Sequence, residues 1–189
     1  VAVGYGTLSA DTLGDRNVAV GMQALQTQNF TTTTDSYNTA VGFYAGLAVT
    51  TGINNTLIGA EAGDALTDAD HNTALGFRSL STNVLGSRST ALGAGALFAQ
   101  NPATATDMYN VAVGEDAGLA VTTGVQNTLI GGLAGDALNV GKEHVAIGYD
   151  ALGAETNGIA CVAIGYQALA AQNGSGATNI YNTAVGYHA

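Results

Sequence analysis

The amino-acid sequence predicts a mainly β fold: a parallel β-solenoid of 17-residue coils, grouped in 72-residue blocks of four coils. Three observations carry that prediction. First, the string Asn-Thr/Val-Ala/Leu-Val/Ile/Leu-Gly recurs along the chain, with its glycine at Gly4, Gly21, Gly42, Gly59, Gly76, Gly93, Gly114, Gly131, Gly148, Gly165 and Gly186. The steps between these glycines are 17 residues, with a step of 21 at intervals, so that three short steps and one long one make 72. Second, "NTLIGAEAGDAL" (Asn55–Leu66) returns as "NTLIGGLAGDAL" (Asn127–Leu138), and residues 38–109 and 110–181 are identical at 36 of 72 positions. Third, the residues before each glycine alternate with β-branched side chains, as a short strand does. A strict period without gaps is the mark of stacked repeats, each one coil of a solenoid.

The chain therefore divides into one array: a partial block (1–37), two full blocks (38–109 and 110–181) and the start of another (182–189). Each unit is counted from its Asn. Position one is Asn17, Asn38, Asn55, Asn72, Asn110, Asn127 or Asn182, with Ser89, His144 and Cys161 standing in elsewhere. Asn tolerates left-handed backbone and bonds its own chain locally, so it suits a corner, and stacked Asn side chains suit a ladder from coil to coil. Positions two to four read as a strand. Position four is always Val, Ile or Leu. As the largest apolar column it is expected to fill the interior, through Val41, Ile58, Leu75, Leu92, Val113, Ile130, Ile147 and Ile164. Position three, Ala or Leu, then points outward as a narrow apolar stripe, and such stripes are usually covered.

Position five is always Gly, which implies positive φ or a backbone approach too close for a Cβ. Positions six to eleven are open between one helical turn and a second strand with a corner; Gly46, Gly63, Gly118 and Gly135 weaken the helix. A second glycine at position fifteen marks another corner, at Gly14, Gly52, Gly86, Gly124, Gly141 and Gly158. The long units, 17–37, 89–109 and 161–181, each end in Tyr. Their extra residues form the least similar parts of otherwise similar coils. Loops on a rigid scaffold often carry recognition, so the candidate partner residues are Thr32, Thr33, Asp35, Tyr37, Thr104, Asp107, Tyr109, Thr178, Asn179 and Tyr181. The sequence starts and stops inside a unit with no cap, which suggests a window cut from a longer array or units that stack end to end.

Composition narrows the function classes. Four Lys and Arg stand against 14 Asp and Glu, a formal charge of −10. Phosphate binding needs clustered cations, so nucleic acid is not an expected partner, nor is an anionic membrane. No stretch reaches the roughly 18 apolar residues of a membrane span. The single Cys161 excludes an intrachain disulfide. There is no phosphate loop, no zinc spacing and no calcium nonapeptide, so no metal or cofactor is expected. Asp68 and Asp70 near a corner read as a solvated turn. Glu115 and Asp116 stand where aromatics are common, but adjacent residues on a strand point apart. They do not make the paired carboxylates of a polysaccharide hydrolase, and no catalytic residues are assigned.

"CVAIG" (Cys161–Gly165), "HVAIG" (His144–Gly148), "VAIGYQAL" (Val162–Leu169) and "NTAVGYHA" (Asn182–Ala189) resemble two groups of repeats. One is the Asn-Thr-Ala-Val-Gly-Tyr-Gln-Ala-Leu repeat of phage tail fibres and bacterial surface proteins. The other is the head repeat of trimeric autotransporter adhesins, which has a shorter period. The resemblance implies a parallel β-roll or β-helix, often trimeric, serving as a stalk or adhesive head. The expected function is a non-enzymatic structural and adhesive module of an extracellular, cell-surface or virion fibre. Its partners would be copies of itself, as a homotrimer or through end-to-end or lateral filament contacts, and a cell-surface or glycan receptor. The alternative is a filament or spacer subunit with no ligand. A polysaccharide-degrading tailspike and an ice-binding protein rank below both.

Overall fold

The computed structural model describes residues 1–174 and 179–189. Each of the eleven repeat strings forms one short strand, from Ala2–Val3 to Thr183–Val185. The strands lie parallel in a single eleven-stranded sheet whose spatial order follows the chain. Equivalent positions pair, as when Thr39, Ala40 and Val41 face Thr56, Leu57 and Ile58. The same register survives a long coil, where Val18, Ala19 and Val20 face Thr39, Ala40 and Val41. The extra residues are therefore absorbed outside the sheet. Eleven strands at about 4.8 Å spacing make a rod roughly 48 Å long between its first and last strand.

Positions six to eleven are neither a helical turn nor a second strand. They form a chain of tight turns with left-handed residues at positions seven and nine, such as Tyr44 (φ 59°) with Gly46 (φ 60°) and Arg78 (φ 57°) with Leu80 (φ 52°). A non-glycine residue in that region costs roughly 1–2 kcal/mol. The compensation is that backbone bonds run between coils: Tyr44 N–H donates to Met22 O at 3.0 Å, and Gly46 N–H donates to Ala62 O at 3.0 Å. At position five, glycine is required. Gly59 has φ +136°, and a Cβ there would lie 2.5 Å from the carbonyl oxygen of Gly76 in the next coil.

The interior corrects one expectation from sequence. Position three faces inward, and Ala19, Ala40, Leu57, Ala74, Ala91, Ala112, Leu129, Ala146 and Ala163 are all fully buried. Val41, Ile58, Leu92, Val113, Ile147 and Ile164 at position four are half-buried, and Leu75 and Ile130 are exposed. The column expected to fill the rod is its outer surface, and the expected outer stripe is its core. The reason is the width of the coil. Position one is buried at the corner, so strand alternation turns positions one and three inward and two and four outward. A 17-residue coil closes on so small a section that alanine supplies most of its interior, with Ala40 and Ala45 both fully buried.

Where position three is Leu, the neighbouring coils give way. A Cβ on Gly46 would lie 2.7 Å from Leu57 Cδ1, and one on Gly63 would lie 2.8 Å from Leu57 Cδ2. Gly118 and Gly135 make the same room for Leu129, at 2.7 and 2.9 Å. In the other coils Leu25, Leu80, Leu97 and Leu152 occupy position nine and are fully buried. The glycines that argue against a helix in sequence are thus holes cut for leucines.

Candidate interaction surfaces

Three surfaces and one buried column carry the side chains that sequence reasoning singles out. The first surface is the outer face of the sheet. Thr39, Thr56, Thr73 and Thr90 line up at position two and pair in register, with Val111 continuing the row. Beside them runs the Val/Ile/Leu column of position four, in which Leu75 is 48% exposed. No charged residue occurs at either position in any coil. One border is aromatic, with Tyr5, Phe43, Phe77, Tyr149, Tyr166 and Tyr187 exposed at position six. The other border is polar, formed by the left-handed residues before position one, including Arg16, Asn54, His71, Arg88, Gln126 and Glu143. The centre of this face is free of charge, one edge carries six aromatic rings and the other is polar.

The second surface is made by the long coils. In the first two the extra residues double back: Thr34–Asp35 pairs with Gly14–Asp15, and Thr106–Asp107 pairs with Gly86–Ser87. Phe30 and Met108 plug the loops from inside. Outside, Arg16 pairs with Asp35 at 3.1 Å and lies over the Tyr37 ring, 5.4 Å from its centroid. Arg88 pairs with Asp107 at 2.9 Å and lies 5.9 Å from the Tyr109 centroid. Thr32, Thr33, Asp35, Tyr37, Thr104, Asp107, Tyr109, Asn179 and Tyr181 are all exposed; Thr178 lies outside the described residues. At the third long coil Ala160 and Asn179 stand in place of the Arg and Asp, leaving Tyr181 alone.

The buried column is the Asn corner. Each side-chain oxygen accepts the backbone N–H of the next corner, as from Asn55 to Asn38 Oδ1 and from Asn72 to Asn55 Oδ1, both 2.9 Å. The side-chain nitrogens of Asn38, Asn55, Asn72, Asn110 and Asn127 each donate to the carbonyl fourteen residues on, as from Asn55 Nδ2 to Ala69 O at 2.8 Å. The ladder thus runs from side chain to backbone rather than from side chain to side chain. His144 imitates it: Nδ1 accepts from Cys161 N–H at 3.2 Å, and Nε2–H donates to Gly158 O at 2.7 Å. Burial lowers its pKa, against the opposing pull of the Gly158 carbonyl and of Glu155 and Glu143.

Sequence reasoning missed a polar set under each long coil, in which Gln28, Asn83, Gln100 and Glu155 are fully buried. Gln28, Gln100 and Gln172 stand where other coils carry Val49, Leu66, Val121 or Leu138. Each accepts from the next corner, with Asn38 Nδ2 2.9 Å from Gln28 Oε1, Asn110 Nδ2 3.0 Å from Gln100 Oε1 and Asn182 Nδ2 2.7 Å from Gln172 Oε1. One coil earlier the same position holds Asp11, Asn83 or Glu155. A polar residue recurring at 72-residue spacing in an otherwise aliphatic column was the available signal. Burial works against the Glu155 charge. Donors from Gln172 and from the backbone of Gly158, Gly174 and Asn157 outweigh it and hold the carboxyl below its usual range.

The third surface flanks Glu115 and Asp116. A cavity of about 280 Å³ is lined by Glu115, Asp116, Gly132, Leu133 and Tyr149. Another, of about 300 Å³ on the opposite side of the same acidic ridge, reaches Phe77, Arg78, Ala94 and Phe98. Asp136 has its pKa raised by burial first, then by the charges of Asp150 and Asp116. Asp68 is engaged by the Thr50 and Thr51 hydroxyls, each at 2.7 Å, which lower its pKa. Asp70 accepts from the backbone N–H of Ile53 at 2.8 Å. Among the described residues no group of three His, Cys, Asp or Glu side chains is placed to hold a metal ion, and no helix is long and apolar enough to cross a membrane. No protein-family model matches this chain, and neither does any curated protein or solved structure.

Proposed function

We propose that this chain is a rigid structural and adhesive module of an extracellular, cell-surface or virion fibre, whose copies pack through the outer face of the sheet. The observation that carries the reading is the charge-free Thr/Val and Val/Ile/Leu double column running the length of eleven parallel strands. A face roughly 48 Å long and two outward residues wide comes to several hundred Å². That is at the upper limit of what a lone soluble protein leaves uncovered. Covering it with further copies turns one thin coil stack into a thicker rod. The core of the single chain is mostly alanine, so the larger aliphatic side chains contribute most once they are buried between chains. The loops of the long coils, spaced at four coils, are then free to meet a cell-surface or glycan receptor.

The test is the mass of the purified chain in solution, together with that of Ile58→Lys/Ile147→Lys. Both positions are half-exposed in the single chain, so lysine leaves the monomer fold intact while placing charge in the packed face. The expected result is a trimer or other closed oligomer for the native sequence and a monomer for the variant. A monomeric native chain at high micromolar concentration sinks the reading.

The reading as a spacer or filament draws on the same face but assigns the loops no ligand; binding of the native oligomer to host-cell or glycan surfaces, lost on Tyr37→Ala/Tyr109→Ala, separates the two. The outward threonine row also keeps ice in view as an occupant, and a monomer showing thermal hysteresis would replace the fibre reading.

A further inference from the structure

We infer that the notch between Tyr149 and the Glu115–Asp116 ridge receives a guanidinium group, carried on an arginine of a partner protein. Position six is a stacking column. Tyr149 lies 5.5 Å from Tyr166 at 15°, and Tyr166 lies 5.2 Å from Tyr187 at 13°. The stack stops at Gly132, which has no side chain to extend it, and the free face of Tyr149 borders the cavity of about 280 Å³. Two coils away, Glu115 and Asp116 line the other side, with Asp116 Oδ1 turned onto Gly95 of the coil beyond, so the column has room for about one flat group between the ring and the Glu115–Asp116 coil, over two coil steps of roughly 4.8 Å.

What that group should be is written elsewhere on the same rod. The chain has three arginines, and each lies over an aromatic ring beside a carboxylate. Arg78 is 5.0 Å from the Phe77 centroid and 2.6 Å from Glu61. Arg16 makes the same arrangement with Tyr37 and Asp35, and Arg88 makes it with Tyr109 and Asp107. Tyr149, with Glu115 bordering the same cavity, is a fourth ring with a carboxylate nearby, and the sequence has no fourth arginine to give it.

The local field points the same way. Asp136 and Asp150 crowd the ridge, and their mutual repulsion helps raise the Asp136 pKa. A cation arriving there meets an overall charge of −10 as well, which steers its approach. Guanidinium suits the slot better than ammonium, because it is planar, weakly hydrated and able to stack on a ring while forking to a carboxylate. The site shares Tyr149 with the aromatic border of the outer face, while Asp116 and Leu133 stand one residue further from the threonine row.

The experiment is a titration of the isotope-labelled native oligomer with N-acetyl-arginine methylamide, read on the amide signals of Gly132 and Tyr149. N-acetyl-lysine methylamide is titrated in parallel. Two variants accompany it, Glu115→Gln and Gly132→Phe. Gly132 is outside the left-handed region and its added Cβ would meet nothing closer than 3.6 Å, so phenylalanine can extend the stack without disturbing the coil. The arginine probe should give saturable shifts at both amides, with dissociation in the millimolar range expected of one small contact. It should bind at least several-fold more weakly to Glu115→Gln, roughly tenfold more weakly to Gly132→Phe, and more tightly than the lysine probe. Absence of saturable shifts, equal affinity for Gly132→Phe, or equal binding of the lysine probe each overturns the inference.

Discussion

The two complete blocks solve the same problem in opposite ways. Each must fasten four extra residues to a coil stack that has no room for them. The first block, 38–109, fastens its long coil from outside. Arg88 pairs with Asp107 at 2.9 Å and covers Tyr109, while beneath them Gln100 Nε2 is buried without a hydrogen-bond partner. The second block, 110–181, has Ala160 and Asn179 in place of that ion pair, and its described residues are tied from within. Buried Glu155 accepts from Gly158 N–H at 2.7 Å, Gly174 N–H at 3.0 Å and Gln172 Nε2 at 3.1 Å. The leading partial block has both devices, with Arg16–Asp35 outside and Gln28 Nε2 2.8 Å from Asp11 Oδ2 inside. An insertion into a solenoid therefore needs an anchor, but the anchor's chemistry is free to move between surface and core. The two anchors are not equal in worth. Exposed ion pairs contribute about 0–1 kcal/mol, whereas a buried acceptor that satisfies several donors cannot be removed without leaving them all unpaired.

Breaking the inner anchor should have the largest effect. Glu155→Leu leaves the buried Gly158 amide and the half-buried Gly174 amide without their acceptor, and leaves Gln172 Nε2 with Cys161 Sγ alone, at 3.1 Å. The buried Gly158 orphan alone costs about 1–3 kcal/mol and the half-buried groups add less, so the variant should lose roughly 2–3 kcal/mol in urea unfolding, with the loss concentrated in the second block. Arg88→Ala, which breaks the outer anchor of the first block, should cost no more than about 1 kcal/mol. Comparable losses for the two would show that the inner and outer anchors are interchangeable in strength as well as in place.

A gentler change should improve the first block. In Asn83→Asp one carboxylate oxygen keeps the Gly86 N–H that Asn83 Oδ1 now accepts at 2.9 Å, and the other becomes available to Gln100 Nε2, as Asp11 is to Gln28. The Gly86 carbonyl loses the Asn83 donor but retains Asn72 Nδ2 at 3.0 Å. Satisfying one buried donor should stabilise by about 1 kcal/mol, or a rise in Tm of roughly 2–4 °C for a chain of this size. Gln100→Leu in the same background should erase the gain; a gain that survives it would mean that the amide was never the weak point.

The period, the parallel stacking and the corner glycines were legible because each is an obligation of the backbone, and a backbone obligation repeats in every coil. The direction of the strand side chains was not legible by size. Ile58 and Ile147 look more like core than Ala40 and Ala146, yet the narrow coil admits only the smaller pair. The better clue was near-invariance of a small residue at position three, interrupted only at Leu57 and Leu129. The turns with alternating left-handed residues were hidden because Leu25, Arg78 and Asp116 carry no glycine signature; hydrogen bonds to adjacent coils impose the conformation on them. The ring-and-carboxylate sets were illegible for a simpler reason. Tyr149 and Glu115 are 34 residues apart in sequence, and only the stacking of coils brings them to one notch.

The smallest expected effect separates the blocks by pH. Where the first block has Asn72 in its corner ladder, the second has His144, and a ladder needs an acceptor at that place. Neutral His144 supplies it through Nδ1, and protonation converts Nδ1 into a second donor facing the Cys161 N–H. Its pKa in the folded chain lies below the ordinary 6.5 because burial penalises the charge. The unfolded chain then binds a proton first as the pH falls. The stabilising contribution is complete above about pH 6.5 and is lost progressively as the pH drops through the folded value. His144→Asn restores both bonds, Oδ1 to the Cys161 N–H and Nδ2 to the Gly158 carbonyl, with nothing to titrate. Urea midpoints measured from pH 7.5 to 5.5 should therefore fall more steeply for the native chain than for His144→Asn. His71 and His188 are present in both proteins and cancel in the difference. Glu155, also depressed, gives up its contribution only as the pH falls below about 4.5, outside this window. Parallel pH profiles for the two proteins would mean that the corner tolerates two donors face to face, and that the ladder is held by the coils around it rather than holding them.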